Sequence, residues 1–279
     1  MATHLLTGDK SFWTILVIVL LRYTVLATLA FLIFYVFRNP RLIYQKIQPR
    51  LPRWNDYRRE VLYSLGTAAV FAGIGFAVFA TPLAQYTRAY WSISDYGVGY
   101  FVLSIFLMII VHDTYFYWTH RWMHKRGIFN IVHRVHHLST NPSPWAAMAF
   151  HPLESALEGS VIVVIAFLFP AHPLAIGIFL LFMMAYNVYG HLGYELYPRG
   201  FSRSWLGKWI NTSVNHNMHH QYVDGNYGLY FLWWDRWMGT LRPDYDDHFD
   251  DVKTRNPNRS VPLTYHAPPA VASKEGADV

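Results

Sequence analysis

Four long apolar stretches organise the chain of 279 residues. Three of them run from about residue 12 to 37, from 61 to 86 and from 97 to 118. A helix needs about 20 apolar residues to cross the ~30 Å hydrocarbon core of a bilayer, so each stretch predicts one transmembrane helix. Arg22 interrupts the first stretch, and a charge at that depth needs a polar partner or a polar cavity.

The fourth stretch, residues 156 to 189, is too long for a single crossing. Pro170 and Pro173 break it near its middle, and each half is short for a full crossing. We expect a helical hairpin that enters the bilayer and returns to the same side. These patterns predict an all-α integral membrane fold with about four transmembrane helices, the hairpin included.

Composition agrees with a membrane location. Charged residues make up 14% of the chain, against about 25% in a typical soluble domain. The formal net charge is +6, but the basic residues are distributed as membrane topology requires. We therefore expect no nucleic-acid partner.

The basic residues also orient the helices. Between the first and second stretches the sequence places Arg38, Arg41, Lys46, Arg50, Arg53, Arg58 and Arg59, whereas the next connection contains only Arg88. Lys and Arg concentrate in cytoplasmic segments, so the first connection is predicted to be cytoplasmic. The third helix and the hairpin then end at the same cytoplasmic face. This multi-pass topology suits a bacterial inner membrane or an endoplasmic reticulum.

Nine histidines lie where those segments meet the predicted cytoplasmic face. They form three boxes and one single position: His120 and His124; His133, His136 and His137; His216, His219 and His220; and His191. Spacings of three and four residues place imidazoles on one helix face, within reach of a common centre. A single buried histidine is usually structural, but three clustered boxes are not explained that way. Nine imidazoles exceed what one ion can use, so the pattern predicts two metals.

The metal must be held without thiolates, because the chain contains no cysteine. All-nitrogen sites suit iron, zinc, copper or nickel. A catalytic zinc uses three protein ligands and keeps one position open, so nine histidines are too many for one such site. Two redox irons beside a bilayer suit O2-dependent attack on an unactivated C–H bond of a lipid. The spacing alone does not separate iron from zinc.

Other polar residues near the boxes are candidates for support rather than ligation. His112 and Asp113 lie two turns before the first box, and a carboxylate there could orient an imidazole. Asn187 lies one turn before the single histidine, as a weak ligand or a hydrogen-bond partner. His151 and Glu154 are further supporting candidates. No catalytic residue is predicted beyond the metal ligands.

Three more polar residues are assigned structural roles. His172 lies in the turn of the predicted hairpin, at the end away from the boxes. Asp235 and Arg236 lie between tryptophans and are predicted to form a structural ion pair.

The boxes and their surroundings resemble a known family. The run from His112 to His124 resembles the first box of the fatty acid hydroxylase/sterol desaturase superfamily, and the other two boxes match its second and third. The run Trp234 to Thr240 resembles its closing motif, and the segment from Asn141 to Pro152 is most similar to the sterol C-5 desaturase branch.

The resemblance implies a four-helix membrane cap under a cytosolic metal domain. It further implies two iron ions, held by the nine histidines, and O2-dependent oxidation of a membrane lipid that is sterol-like or long-chain. Some members have histidine at the position of Asn187, so the ligand count at one metal stays open. Both desaturation and hydroxylation occur among such proteins, and the alternative is a lipid or carotenoid hydroxylase.

The sequence contains neither a His-Pro-Gly-Gly haem motif nor a Gly-x-Gly-x-x-Gly dinucleotide motif. We therefore expect a separate electron donor of the cytochrome or ferredoxin type. Residues 1–260 are predicted to form a single membrane-embedded oxidase domain, with its metal part at about 112–155 and 190–243. Residues 261–279 are predicted to be a disordered tail.

Two functions from other classes remain open at this point. A membrane zinc hydrolase would act without O2 or reductant and needs a carboxylate base. Glu154, Glu158 and Glu195 are its candidates, and none lies inside a box. A non-enzymatic carrier of metal or lipid would exchange its cargo without turnover.

Overall fold

The structure is a computed structural model that describes residues 11–37 and 42–255. Every extended regular element in these residues is a helix, as the apolar pattern predicts. The α-helices are α1 (Phe12–Phe31, continued by a π-helix, Leu32–Val36), α2 (Trp54–Phe79), α3 (Gly97–Met123), α4 (Phe129–Val132), α5 (Arg134–His137), α6 (Pro152–Gly159), α7 (Val161–Leu168), α8 (Pro173–Gly190), α9 (Ser213–Tyr222), α10 (Trp233–Trp237) and α11 (Tyr245–Thr254). Short 3₁₀ turns lie at Ile43–Gln45, Pro82–Tyr86, Ile93–Asp95, Pro144–Met148 and Gly207–Trp209. The predicted disordered tail, 261–279, lies outside the described residues.

Four of these helices are long and apolar enough to cross a membrane. They are Phe12–Val36, Trp54–Phe79, Gly97–Met123 and Pro173–Gly190. The predicted all-α membrane fold with about four spanning helices is thereby confirmed.

The second membrane helix is displaced from its predicted position. We predicted 61 to 86, whereas α2 covers Trp54–Phe79. Its first turn is polar and is closed by Asp56, which accepts from the Arg53 amide at 3.0 Å and pairs with Arg59 at 2.8 Å. At the other end the chain turns at Pro82. The apolar stretch shows only which part of the helix faces lipid. The helix itself begins earlier, at the residue where its first turn is capped.

The third membrane helix also differs from its prediction. We predicted 97 to 118, but α3 continues to Met123. The additional residues include His120, which is buried. His120 reaches this buried position because α3 continues beyond the apolar stretch.

The hairpin is formed by α6 and α7 on one side and by α8 on the other. The break falls at residues 170–173, as predicted, and His172 caps α8 by accepting from the Leu174 amide at 3.1 Å. Its predicted structural role is consistent with this bond. Helix α8 has 18 residues and therefore rises about 27 Å, nearly the thickness of the hydrocarbon core.

The membrane helices surround a cavity. Helix α1 packs against α2 and α8, while α3 packs against α7 and α8. Between them lies a cavity of about 720 Å³ that is lined mainly by apolar side chains. The last turns of α1 and α8 meet where the Tyr35 hydroxyl donates to the Leu192 carbonyl at 2.8 Å. We call this pole of the molecule, which also carries the end of α3, the histidine end.

The predicted orientation can be tested with single cysteines, because the natural chain contains none. Lys125 is exposed at the histidine end, and Ser94 is exposed at the opposite end. We expect a membrane-impermeant thiol reagent to label Lys125→Cys only from the cytoplasmic side and Ser94→Cys only from the other side. The measurement is labelling of intact cells against inside-out vesicles. Labelling of both positions from one side would contradict the predicted topology.

Candidate metal centre

The nine box histidines come from four separate parts of the fold. His120 and His124 end α3, and His133 precedes α5, which carries the next two histidines of its box. His191 caps the C-terminal end of α8, and the last box lies on α9. Each of these segments ends or lies at the histidine end. The polypeptide therefore brings residues up to a hundred positions apart to one location.

The histidines form two groups. Within each group, the potential ligand nitrogens all lie within 4.8 Å of one another. The first group has five members: His120, His124, His133, His137 and His219. The second has four: His136, His191, His216 and His220. The groups adjoin, since the ring centroids of His137 and His220 are 5.0 Å apart. The arrangement matches the predicted pair of metals, and the assignment of these residues as ligands remains a prediction.

The two boxes of the form His-x-x-His-His divide in opposite ways. In the box on α5, His133 and His137 join the first group and His136 joins the second. On α9, the corresponding pair joins the second group and His219 joins the first. Residues four apart lie on nearly the same helix stripe, whereas a residue three apart is rotated to the other side. Each box therefore contributes to both groups and connects them.

The nitrogen atoms are arranged as they would be around a cation. The Nε2 atom of His191 lies 3.3, 3.1 and 3.1 Å from the Nε2 atoms of His136, His216 and His220. The Nδ1 atom of His191 donates to the Asn187 carbonyl at 2.8 Å. Its Nε2 atom therefore carries one lone pair, which can accept one hydrogen bond and not three.

A metal ion removes that conflict. Metal–imidazole bonds of about 2.1 Å place neighbouring nitrogens about 3.0 to 3.4 Å apart. In the first group, His133 Nε2 lies 3.0 Å from His120 Nε2 and 3.1 Å from His137 Nε2. The donor set in both groups thus fits a divalent transition metal with nitrogen ligands.

Backbone carbonyls orient several of the imidazoles. His120 Nδ1 donates to the Tyr227 carbonyl at 3.0 Å, and His219 Nδ1 donates to the Gly225 carbonyl at 2.7 Å. A carbonyl only accepts, so each bond fixes the proton on Nδ1 and leaves the Nε2 lone pair directed at the group. Gly225 has φ 73°, and a Cβ there would lie 2.7 Å from the Thr240 carbonyl oxygen. Only glycine fits this position without moving the carbonyl.

Asp235 holds the loop that carries these carbonyls. Its carboxylate accepts from the amides of Tyr227 and Gly228 at 2.9 and 2.7 Å. The predicted ion pair with Arg236 is wrong, because the Arg236 guanidinium donates to the Lys208 carbonyl at 2.7 Å instead. Sequence reasoning missed the positioning role of Asp235. Its location in a turn of the closing motif, just after a Gly-containing loop, was the available signal.

Glu154 is the carboxylate that orients an imidazole. Its Oε1 atom lies 2.7 Å from His133 Nδ1, and both side chains are buried. Asp113, the predicted candidate for this role, instead accepts from the amides of Tyr230 and Phe231. His112 contacts the Tyr230 hydroxyl at 2.9 Å. Both residues therefore hold the closing segment and do not contact the box histidines through hydrogen bonds.

The remaining two candidates differ in how close they lie to the groups. His151 is in neither group, and its ring caps α6 by accepting from the Leu153 amide at 3.3 Å. Asn187 donates its side-chain amide to the Ala147 carbonyl at 2.8 Å. Its backbone carbonyl orients His191, so Asn187 supports the second group whether or not its side chain is a ligand.

Burial keeps the imidazoles neutral. Desolvation lowers the pKa of His191 and of His219 to about 4, and it holds the pKa of His136, His137 and His216 well below the usual range. Neutral imidazole is the form that binds metal. Of the nine histidines, His124 alone is only partly buried.

The membrane cavity ends beside the second group. Asn187, which precedes His191 by one turn, lines the cavity together with Phe150. The Phe150 ring lies 5.0 Å from the ring of His136. A lipid in the cavity would therefore have one end beside the histidines.

Replacing a histidine of the second group should remove one metal and not both. We expect two metals per chain in the natural protein and about one in His191→Ala, because its three partners then lack the ligand that they all approach. Elemental analysis of the purified protein measures this. His248→Ala, a change outside both groups, is the control and should keep two metals. Two metals in His191→Ala would contradict the assignment.

Loss of the Glu154 carboxylate should weaken metal binding without abolishing it. A neutral amide holds the His133 N–H less strongly than a carboxylate does, so we expect Glu154→Gln to lower metal affinity about 10- to 100-fold. Competition with a chelator measures the change. The matched control is Glu158→Gln, one turn further along α6, which should leave metal affinity unchanged. Equal affinities for both variants would exclude this role for Glu154.

Comparison with known proteins agrees with this geometry. The fatty acid hydroxylase family matches residues 105–240 of the chain. A Delta(7)-sterol 5(6)-desaturase of Aspergillus fumigatus is 31% identical over 219 residues, which cover 71% of this chain and 68% of that protein. Lathosterol oxidase of Homo sapiens is 28% identical over 190 residues, 67% of this chain and 62% of that protein. No solved structure gives a significant match.

A third relative, a Delta(7)-sterol 5(6)-desaturase of Gibberella zeae, is 28% identical over 202 residues, 71% of this chain and 61% of its own length. The chain thus spans less than two thirds of the length of two of these three relatives. The family match and the Aspergillus relative show that the chain belongs to the fatty acid hydroxylase/sterol desaturase superfamily, with sterol C-5 desaturases among its relatives.

Proposed function

We propose that the protein is an O2-dependent di-iron oxidoreductase that oxidises a C–H bond of a sterol-like membrane lipid. The observation that carries the proposal is that an apolar membrane cavity lies beside a pair of buried histidine groups, separated from them by lining residues such as Phe150 and Asn187. The names of the relatives supply the sterol class and favour desaturation. Hydroxylation is the alternative outcome at the same site.

The cavity has the dimensions of an extended lipid. Along α8 it is lined from Pro173 to Asn187, a rise of about 21 Å at ~1.5 Å per residue. Its volume of about 720 Å³ falls within the usual range for ligand sites, roughly 300 to 1,000 Å³. A lipid lying along α8 would place one part of its skeleton at Asn187 and the rest toward the opposite membrane face.

The proposed reaction balances with two electrons from a separate donor. Desaturation takes one hydrogen from each of two adjacent carbons and, with O2, two electrons and two protons, releases two molecules of water. Hydroxylation inserts one oxygen atom into the C–H bond and releases one molecule of water. Two iron ions bound by the histidines would supply O2 reduction and attack on the unactivated C–H bond.

The chain's own residues hold the metals and keep the lipid in place. The nine histidines are the proposed ligands, and the carbonyls of Tyr227, Gly225 and Asn187 fix the tautomers of three of them, which are His120, His219 and His191. The apolar lining excludes water from the reacting carbon, which limits side reactions. The protein supplies orientation and a dry site, and the proposed cofactor supplies the redox chemistry.

The hydrolase alternative needs a free carboxylate at the centre, and two of its three candidates are already engaged. Glu154 contacts His133, while Glu195 accepts from the amides of Val214 and Tyr197. Glu158 lines the cavity and is the remaining candidate. A hydrolase would work without O2, so oxygen dependence separates the two functions.

Electrons must enter from outside the membrane. We propose that the histidine end faces the cytoplasm and that a separate cytochrome or ferredoxin reaches the metals there. His124 is the partly buried member of the first group, and exposed Lys125 and Arg126 follow it. The histidine nearest to solvent therefore lies next to a basic surface, where an electron donor could bind close to the proposed metals.

The function can be tested by lipid analysis of cells that express the protein, with and without oxygen. We expect an oxygen-dependent product that is two hydrogens lighter than its precursor, or one oxygen heavier if the reaction is hydroxylation. His136→Ala should abolish the product because it removes a ligand from the group beside the cavity. Product formation by His136→Ala, or without oxygen, would overturn the proposal.

A variant that fills the cavity tests substrate binding in the same experiment. Gly177 lines the cavity, and a Cβ there would meet no atom within 4 Å. The side chain of Gly177→Trp should therefore fill the lipid space without disturbing the histidines. We expect it to lose the product while keeping both metals, which separates substrate binding from metal binding.

A further inference from the structure

We propose that the membrane cavity opens sideways into the half of the bilayer away from the histidine end, through a gap between α1 and α8. We call this gap, which is bordered by Ile18 and Gly177, the lipid portal. The inference rests on the proposed function only in taking the cavity as the site of a lipid. It adds the route by which that lipid enters and leaves.

Helix α1 faces the cavity with one stripe of side chains. The stripe consists of Thr14, Ile15, Ile18, Val19 and Arg22, and spacings of three and four residues place them on one face of the helix. Ile18 lies in the middle of this stripe, so its side chain is directed toward the cavity. It is nevertheless 56% exposed, whereas Val19 is 6% exposed. The wall of the cavity is therefore open at Ile18.

Helix α8 shows the same pattern on the other side of the gap. Its lining residues are Pro173, Ile176, Gly177, Leu180, Met183, Met184 and Asn187. Gly177 lies in the middle of the first part of this stripe, four residues after Pro173 and three before Leu180. It is exposed, and a Cβ there would meet no atom within 4 Å. Ile176 and Met184 are buried, so the open space is confined to the surroundings of Gly177.

The cavity is closed at the end that lies beside the histidines. Buried side chains form this part of the wall, namely His112, Phe116, Met148, Phe150 and Leu229. None of the described lining residues on that side is exposed. A surface that only faces the interior of the cavity therefore adds little exposure, and the exposure of Ile18 and Gly177 comes from an opening to the outside.

The packing of α1 against α8 explains where the gap lies. Tyr23 and Ala27 of α1 belong to one apolar cluster with Met184 and Val188 of α8. This cluster closes the two helices against each other in the half of the membrane near the histidines. Ile18 precedes the cluster on α1, and Gly177 precedes it on α8. The exposed lining residues thus lie beyond the contact that seals the cavity.

The opening faces hydrocarbon, because both of its borders belong to helices long and apolar enough to span the membrane. Ile18 lies six residues after the start of α1 and Gly177 four residues after the start of α8, about 9 and 6 Å along each helix. Two more exposed residues that line the cavity, Gln85 and Trp91, lie in the connection between α2 and α3. A lipid in that half of the bilayer can therefore enter without passing the polar histidine end.

The test is the rate at which a lipid exchanges with the metal-loaded full chain in lipid nanodiscs without oxygen, so that no turnover occurs. The probe is dehydroergosterol, a fluorescent sterol whose binding is followed by energy transfer from the tryptophans of the protein. The natural chain contains no cysteine. Ile18→Cys therefore offers a single thiol, which a bulky methanethiosulfonate reagent blocks and dithiothreitol releases.

A blocked portal changes rates and leaves the bound state unchanged. We expect the label on Ile18→Cys to slow association and dissociation alike, by about 10-fold or more, and to change the equilibrium affinity by less than about 2-fold. Removal of the label should restore both rates. A loss of affinity at an unchanged association rate would contradict the proposal, because the label would then act on the bound lipid.

Matched positions carry the same label outside the portal. Leu21 is 56% exposed on α1 and does not line the cavity, so labelled Leu21→Cys should exchange lipid as fast as the unlabelled protein. Labelled Gly177→Cys should slow exchange as labelled Ile18→Cys does. Leu29 is exposed on α1 in the half near the histidines, and labelled Leu29→Cys should have no effect. Equal rates for labelled Ile18→Cys and Leu21→Cys, or slow exchange in labelled Leu29→Cys, would overturn the proposal.

Lipid oxidation by the same variants separates the portal from the proposed function. Because exchange is measured without turnover, a chain whose exchange is slowed by the two portal labels but that oxidises no lipid would refute the proposed function alone. A chain that oxidises lipid but whose exchange is insensitive to both portal labels would refute the portal alone.

Discussion

The convergence of nine neutral imidazoles is the constraint on which the rest of the molecule depends. Burial lowers the pKa of these histidines, so each ring has one N–H to donate and one lone pair to accept with. At His191, three Nε2 atoms nevertheless approach one Nε2 lone pair at 3.1 to 3.3 Å, and a cation between them would remove the conflict. If the two groups bind metal as proposed, metal binding and folding of this end are expected to be coupled.

Much of the remaining structure at the histidine end positions those lone pairs. The carbonyls of Gly225 and Tyr227 come from one loop, and Asp235 fixes that loop through two amides. Asp113 fixes the following segment in the same way. Two buried carboxylates thus hold the backbone beside the histidine groups, and the loop held by Asp235 in turn orients two imidazoles. This explains why Asp113 and Asp235 are buried beside the histidine groups although neither forms a hydrogen bond with a histidine.

The sequence allowed the membrane helices, the hairpin break and the clustering of the histidines to be predicted, because each follows from spacing along one segment. Helix α2 was misplaced by seven residues at each end, since its first turns are polar and are held by Asp56. The division of the boxes into groups of five and four was not predictable. It depends on how α5 and α9 face each other, and that is a property of tertiary packing. Glu154 and Asp113 were both expected to support the site, but which of them contacts a box histidine was not predictable for the same reason, as both are carboxylates near a box and only their neighbours distinguish them.

The position of the cavity also shows how one fold can place a polar centre beside an apolar space. Helix α8 lines the cavity and ends at His191, so the same helix connects the wall of the cavity with the second group of histidines. Asn187 stands at the junction, with its side chain fixed by Ala147 and its carbonyl fixed on His191. A histidine at this position could add a fifth imidazole to the second group, whereas asparagine leaves it with four. The two groups then differ in the number of imidazoles, and the group with four is the one that lies beside the cavity. Under the proposed function, the smaller imidazole set would leave space for the reaction on the side where the lipid would lie.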